Sequence, residues 1–177
     1  MVVAILLGVL ATAGASSPAI AHDFSGRYAD SSLHTWWNGS ARSYDVPVWG
    51  PMVADIMDNE IERKTAVRTA KVSYHYRSGL RYPYVDISWW ADDLPAPKGG
   101  KTTCERPLSG SACDHWHVVF DDDPGQPVDG KRQKVCHEIL HTLGADDGSN
   151  DGGCIGGGPE GKLNAHDIAH INGKYGR

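Results

Sequence analysis

The spacing of hydrophobic positions changes several times along the chain, and each change marks a predicted element. Residues 33–37, Leu-His-Thr-Trp-Trp, have the length of a first strand. From Pro51 to about residue 66, apolar residues recur at helical spacing, which predicts a helix packed on a sheet. The apolar positions of this helix are Met52, Val53, Ile56, Met57 and Ile61.

The pattern then becomes alternating, which is typical of strands. Residues 71–76 and 84–90 are predicted to be two strands joined by a turn around Ser78-Gly79, and residues 115–120 a third. Between the second and the third lies a segment rich in Pro, Gly and Lys, residues 95–101, which is predicted to be a loop.

Two further helices are predicted in the last third of the chain. One spans about residues 130–143, and the other spans about 163–174, with Asn164 as its N-cap and Leu163, Ile168 and Ile171 as its apolar positions. Residues 148–161 are rich in Gly and show no periodicity. Strands and helices in this order, without internal repeats, predict one α+β domain.

Composition narrows the possible partners. The chain has 177 residues and a net charge of −5, which gives no reason to expect nucleic acid or an anionic membrane as a partner. The basic pair Lys131-Arg132 is offset by the acidic residues 121–123. We therefore expect a monomeric domain without nucleic-acid binding or stable membrane insertion.

The N-terminus is typical of an exported protein. Residues 2–14 form an apolar run of signal-peptide length, and Ala19-Ile20-Ala21 supplies an A-x-A cleavage site. We expect residues 1–21 to be removed, so that a secreted domain comprises residues 22–177. No Lys or Arg precedes the apolar run, and a buried N-terminal helix is the alternative.

The four cysteines agree with export, because a secreted protein of this size is expected to pair them. Proximity in sequence favours Cys104–Cys113 and Cys136–Cys154, although four cysteines permit three pairings. The second bridge would stabilise the fold by roughly 3 kcal/mol in the chain-entropy model.

The segment 136–147 carries the candidate chemistry and includes the pattern H-E-x-x-H-x-x-G-x-x-D. His137 and His141 are four residues apart, so one face of a helix presents both to a single metal ion. Glu138 is displaced around the helix and is free to act on water as a catalytic base. Gly144 can end the helix and turn the chain, which would deliver Asp147 as a third ligand.

Other ligand sets are possible at this stage. Asp146 is the rival to Asp147 but is one residue short of the expected spacing. A Cys₂His₂ zinc site would need Cys136 and Cys154, yet Cys136 points to a different helix face from His137. An accidental helix with solvated side chains is the remaining alternative.

Four other histidines and a tyrosine are further candidates for metal binding or for the reaction. The pairs His166/His170 and His115/His117 could each bind metal, but solvated side chains and a polar strand face are the simpler interpretations. Tyr175 could in principle reach an oxyanion, although the end of a C-terminal helix is a doubtful source.

Calcium has weaker support than zinc. Residues 147–152 imitate the start of an EF-hand loop, but Gly158 stands where the bidentate Glu is needed. A surface calcium ion at Asp121, Asp122 and Asp123 has no further support.

With this motif and this order of elements, the chain resembles the metzincin zinc peptidases. Its Asp147 in place of a third His is similar to the snapalysin type of small secreted neutral proteases. The resemblance is strong over residues 136–147, and residues 152–154 and 164–172 extend it weakly. It implies a small twisted mixed sheet with a backing helix, an active-site zinc helix and a C-terminal helix.

One residue departs from the metzincin pattern. Metzincins have a methionine in a turn beneath the metal, whereas Ile155 stands at about that place in this chain. Since the methionine does not touch the metal, an apolar Ile could form the same hydrophobic floor.

The resemblance implies a zinc-dependent endopeptidase. His137, His141 and Asp147 would bind one Zn²⁺, and Glu138 would be the general base. An extended polypeptide would bind by strand addition along 84–90 or 115–120, with Trp89, Trp90 and Trp116 either shaping pockets or lying in the core. The alternatives are a secreted zinc-binding domain without proteolytic activity and a metallohydrolase acting on a non-peptide substrate.

Overall fold

One mixed sheet organises the molecule. A computed structural model describes residues 26–30, 33–38, 46–71, 85–95, 99–121, 128–147, 152–158 and 160–176. The strands are β1 (Tyr28–Ala29), β2 (Leu33–Asn38), β3 (Arg68–Lys71), β4 (Ile87–Asp92), β5 (Gly100–Pro107) and β6 (Ala112–Asp121). The helices are α1 (Val46–Asp55), which continues as a π-helix (Ile56–Glu62), α2 (Val128–Thr142) and α3 (Ala165–Tyr175).

Strands β3, β2, β4 and β6 lie side by side and are parallel, and β1 pairs in parallel with the first residues of β6. Strand β5 is antiparallel to β6, with Thr102 opposite Val118 and Gly100 opposite Phe120. Among the described strands, β5 pairs only with β6, so it forms an edge of the sheet. The predicted substrate strands 84–90 and 115–120 correspond to β4 and β6, which are paired on both sides. That prediction is therefore wrong. Strand β5 is an edge strand next to β6.

The core lies between the sheet and the helices. Trp49 of α1 stacks on Phe120 of β6 with ring centroids 4.6 Å apart, and Trp89 of β4 lies 5.4 Å from the same ring. Four of the five apolar positions predicted for the first helix are fully buried, and Met52 is partly buried. Among residues 130–142 of α2, the buried ones are Lys131, Val135, Cys136, Glu138, Ile139, Leu140 and Thr142.

The first helix begins five residues earlier than predicted, at Val46 rather than Pro51. Proline is tolerated in the first turn of a helix, and Pro47 stands there, but Pro51 lies inside α1 and cannot donate a hydrogen bond to the preceding turn. The helix boundary predicted at Pro51 is therefore more than one turn too late.

The strand predictions near the edge also need correction. The segment 95–101 was predicted to be a loop, but Gly100 already begins β5. Residues 72–76, the turn at Ser78-Gly79, the proposed signal segment 1–21 and residues 122–127 lie outside the described residues. Within the part of the chain that is described, no helix combines the length and the apolar character needed to cross a bilayer.

The last helix agrees with its prediction. The side chain of Asn164 accepts a hydrogen bond from the backbone N–H of Asp167 at 2.8 Å, and the Asp167 carboxylate accepts one from the Asn164 N–H at 3.1 Å. This reciprocal pair is a capping box, which satisfies backbone donors that a helix start otherwise leaves free. Leu163 and Ile171 are buried as expected.

Candidate metal centre

Helix α2 presents two histidines to a cleft. Val135, Ile139 and Leu140 are fully buried, so the opposite side of the helix faces outward with His137 and His141. Their rings lie 4.6 Å apart between centroids, and their Nε2 atoms lie 3.0 Å apart. The i, i+4 spacing in the sequence therefore brings two imidazole nitrogens together at one point.

The turn after α2 delivers the third side chain. The N–H of Ala145 donates to the carbonyl of Leu140 at 3.0 Å, and Gly144 has a φ of +102°. Positive φ is strained for residues with a side chain, so glycine suits this helix end. The N–H of Gly26 donates to the Gly144 carbonyl at 3.1 Å, which joins the segment before β1 to the turn.

Asp147 completes a group of three donor atoms. Its Oδ1 lies 3.2 Å from His137 Nε2 and 3.3 Å from His141 Nε2, and one donor atom from each residue lies within 4.8 Å of the others. Zinc bonds of about 2.0–2.1 Å place tetrahedral ligands about 3.3–3.4 Å apart. The spacing of these three atoms therefore fits a tetrahedral zinc site with one open position.

Hydrogen bonding also prepares His141 for a metal. Its Nδ1 lies 2.8 Å from the carbonyl oxygen of Ala145, which can only accept. Nδ1 must therefore carry the proton, and the Nε2 lone pair points towards His137 and Asp147. Because this lone pair and a carboxylate oxygen would otherwise face each other, the donor set favours a bound cation.

Asp146 is not part of this group. It is half-buried beside Gly26, where an added methyl group would lie 2.9 Å from the Asp146 Oδ1. The structure therefore places Asp147, rather than Asp146, with the two histidines.

Glu138 lies beside the donor atoms but is held by β5. Its side chain is buried, and Thr102 donates a hydrogen bond from Oγ1 to Glu138 Oε2. Gly100 leaves space for it, since a methyl group at that position would collide with the Glu138 carboxylate. Strand β5 thus positions the Glu138 carboxylate beside the group of three donor atoms.

Sequence reasoning did not identify Thr102 or Gly100. Neither belongs to a motif, and Thr102 is 36 positions from Glu138 in the chain. They reach α2 only because β5 pairs with β6 at the edge of the sheet. A prediction of β5 as a strand could have identified them.

The three donor residues line a cleft of about 390 Å³ that lies between β5 and the turn after α2. Its walls include Arg27, Lys101 and Trp116 together with the site residues. Trp116 and Trp89 both belong to the buried core, and Trp116 also lines this cleft.

Both disulfides favoured by proximity are present, with Cα–Cα distances of 6.0 Å for Cys104–Cys113 and 5.3 Å for Cys136–Cys154. A zinc site using Cys136 and Cys154 is thereby excluded, since both thiols form a disulfide bond.

Next to Cys154, Ile155 is buried and lines a second cavity with His137 and Glu138. Its position agrees with a hydrophobic floor near the ligands.

The histidines of β6 have other partners. His115 is buried, with Nδ1 2.5 Å from the Val85 carbonyl oxygen and Nε2 3.2 Å from Ser88 Oγ. His117 Nδ1 lies 3.2 Å from Glu105 Oε1. Burial lowers the pKa of both imidazoles, so the neutral forms are favoured.

The remaining candidates lie apart from the donor group. His166 and His170 contact each other on α3 with ring centroids 4.3 Å apart. Tyr175 donates to the Ala29 carbonyl at 3.2 Å, and burial raises the pKa of its hydroxyl. Asp121 Oδ1 accepts from the Leu94 N–H at 3.1 Å, while Asp122 and Asp123 fall outside the described residues.

No protein-family profile and no curated protein matches the sequence. Among solved structures, archaemetzincin from Methanopyrus kandleri matches with a TM-score of 0.54 and 12% sequence identity, covering 82% of this chain and 97% of that chain. At this identity the likeness shows the fold alone. The prediction of one α+β domain with a metzincin-like fold is confirmed, because the chain shares its fold with archaemetzincin.

Proposed function

We propose that the protein is a secreted zinc-dependent endopeptidase of the kind with two His ligands and one Asp ligand. The observation that carries this proposal is the placement of Glu138, held by Thr102 beside three donor atoms spaced for zinc. A structural zinc site usually has four protein ligands, whereas three ligands leave a position for water or substrate.

The chain supplies three metal ligands and one general base. His137, His141 and Asp147 would hold the zinc ion, whose chemistry is Lewis-acid activation of water and of a peptide carbonyl. Glu138 accepts a proton from the attacking water while the C–O bond forms at the carbonyl carbon. It then donates that proton to the amine nitrogen as the C–N bond breaks, so the base is restored.

An extended polypeptide fits the edge of the sheet. Strand β5 forms the wall of the cleft at Gly100, Lys101 and Thr102, and its outer side is not paired with any described strand. A peptide added to this edge would satisfy backbone hydrogen bonds and pass the donor atoms. This arrangement favours a peptide substrate over a small non-peptide molecule.

Secretion and a monomeric state complete the proposal. The apolar segment 2–14 and two disulfides are typical of an exported chain. N-terminal sequencing of the protein from a culture supernatant should give His22 as the first residue. A first residue within 1–14 would contradict cleavage after Ala21.

Hydrolysis of casein or a quenched peptide by the purified protein tests the activity. We expect a chelator to abolish hydrolysis and added zinc to restore it. Glu138→Gln should lose hydrolysis while still binding one zinc ion, and Glu160→Gln, which removes an exposed carboxylate, should retain activity. Zinc binding without hydrolysis of any peptide would favour a binding domain, and full activity of Glu138→Gln would refute the mechanism.

A further inference from the structure

The end of α3 lies against the turn that carries Asp147. A methyl group added to Gly144 would lie 2.9 Å from Lys174 Nζ and 3.4 Å from Tyr28 Cβ. The ammonium group of Lys174 and the side chain of Tyr28 therefore lie against the same residue, at which α2 has ended and the chain turns. We call residues 144–147 the ligand turn.

An aromatic ring holds Lys174 in this position. Its Nζ lies 3.9 Å from the centroid of the Tyr28 ring, which is within the range of a cation–π interaction. The Lys174 side chain is half-buried, so its charge is screened less than at an open surface. Tyr175, the next residue of α3, packs edge-on against the same ring with centroids 6.3 Å apart. Two consecutive residues of α3 thus dock its end on β1.

The residues before β1 contact the ligand turn as well. Besides the hydrogen bond from the Gly26 N–H to the Gly144 carbonyl, a methyl group added to Gly26 would lie 2.9 Å from Asp146 Oδ1. The turn is therefore packed closely against this segment. Since the Asp147 side chain is itself largely exposed, its position depends on these contacts of the residues before it.

Lys174 also lies at the C-terminal end of α2. The last carbonyl groups of a helix carry a partial negative charge, so a cation at this end stabilises it. The basic residue in the last turn of α2 is His141, whose Nε2 belongs to the group of donor atoms. Lys174 therefore brings a positive charge to this helix end from a neighbouring helix.

We propose that Lys174 is a positioning residue for the metal centre. Through its contacts with Tyr28 and Gly144, it holds the ligand turn in the arrangement that brings the third carboxylate to the two histidines. This inference rests on the proposed function, because it presupposes that zinc binds there. Repulsion between the ammonium group and a bound zinc ion acts in the opposite direction. The sign of the change in zinc affinity therefore distinguishes positioning from repulsion between charges.

The zinc dissociation constant, measured by competition with a chelator, tests the inference. Lys174→Met removes the charge and keeps an unbranched side chain, and it should raise Kd about fivefold through loss of the cation–π and helix-end contacts. Lys174→Arg keeps the charge and can stack on the ring, so its Kd should stay within about twofold of the wild type. Lys162→Met is the matched control, since it removes an exposed lysine just before α3 and should leave Kd unchanged.

A double-mutant cycle separates positioning of the third ligand from a general loosening of the fold. Lys174→Met should not raise Kd further in Asp147→Ala, because that variant lacks the carboxylate that is positioned. A general loosening would instead raise Kd by the same factor in both backgrounds. A weaker chelator keeps the measurement in range for Asp147→Ala, and thermal unfolding establishes that each variant is folded.

The outcomes separate this inference from the function on which it rests. An unchanged or lower Kd in Lys174→Met, a Kd as high in Lys174→Arg, or the same increase in the Asp147→Ala background overturns the inference alone. A wild-type protein that binds no zinc overturns the proposed function itself.

Discussion

Thr102→Val removes the hydrogen bond that holds the proposed base while keeping the shape of the side chain. Thr102 Oγ1 lies close to Glu138 Oε2 and 3.2 Å from the Glu138 carbonyl oxygen. A hydroxyl has one proton to donate, and the carboxylate is the nearer and stronger acceptor. The substitution therefore frees the Glu138 side chain to leave the orientation in which it reaches water.

The expected effect follows from the strength of this contact. Hydrogen bonds to charged groups contribute about 1.5–3 kcal/mol, and we take the lower end because Thr102 is only half-buried. Since about 1.4 kcal/mol corresponds to a factor of ten in rate, kcat should fall roughly tenfold. KM and zinc content should change little, because Thr102 is not a metal ligand.

Steady-state kinetics on a quenched peptide, together with zinc analysis, measures this effect. Thr102→Ser keeps the hydroxyl and should retain most of the activity. Thr103→Val is the matched control, since Thr103 is the next residue of β5 and its side chain is exposed. Full kcat in Thr102→Val, or a loss in Thr102→Ser as large as in Thr102→Val, would contradict this role of the Thr102 hydroxyl.

The other predictions concern the space around the base, the third ligand and a buried histidine. Gly100→Ala should lower kcat more than tenfold while zinc stays bound, because the added methyl group displaces the Glu138 carboxylate. A kcat equal to that of the wild type would contradict the close contact between Gly100 and Glu138. Asp147→Ala should weaken zinc retention in a chelator competition far more than Asp146→Ala, and the reverse order would reassign the ligand. Burial lowers the pKa of His115 below its ordinary value of 6.5. The unfolded state therefore binds the proton more readily, and stability should fall as pH decreases below about 6.5. In urea unfolding between pH 7 and 5.5, His115→Gln should show a smaller loss of stability than the wild type, and an equal loss would exclude His115 as its source.

The parts of the site that were predictable from the sequence are those whose residues lie close together in the chain. His137, His141 and Asp147 lie within eleven residues, so helix periodicity and one glycine turn determine how they meet. The Asn164 cap was equally local. Both disulfides were favoured because their cysteines are close in the chain.

The parts that were missed depend on contacts between distant segments. Strand β5 has a polar sequence, Lys-Thr-Thr-Cys-Glu-Arg, because one of its faces is exposed, so it lacks the apolar alternation that revealed β6. The contacts of Thr102 and Gly100 with Glu138 follow from the position of this strand. Its role at the edge could be recognised only from the pairing of the sheet.

The unequal exposure of the three proposed metal ligands has a kinetic consequence. His137 and His141 are fixed on one helix with side chains 24% and 19% exposed, whereas the Asp147 side chain is 80% exposed on the turn. An incoming ion would meet a preformed pair of nitrogens first, and the carboxylate would close over it afterwards. Changes that loosen the turn, such as loss of the Gly26–Gly144 hydrogen bond, should therefore accelerate the release of zinc and leave its rate of capture almost unchanged.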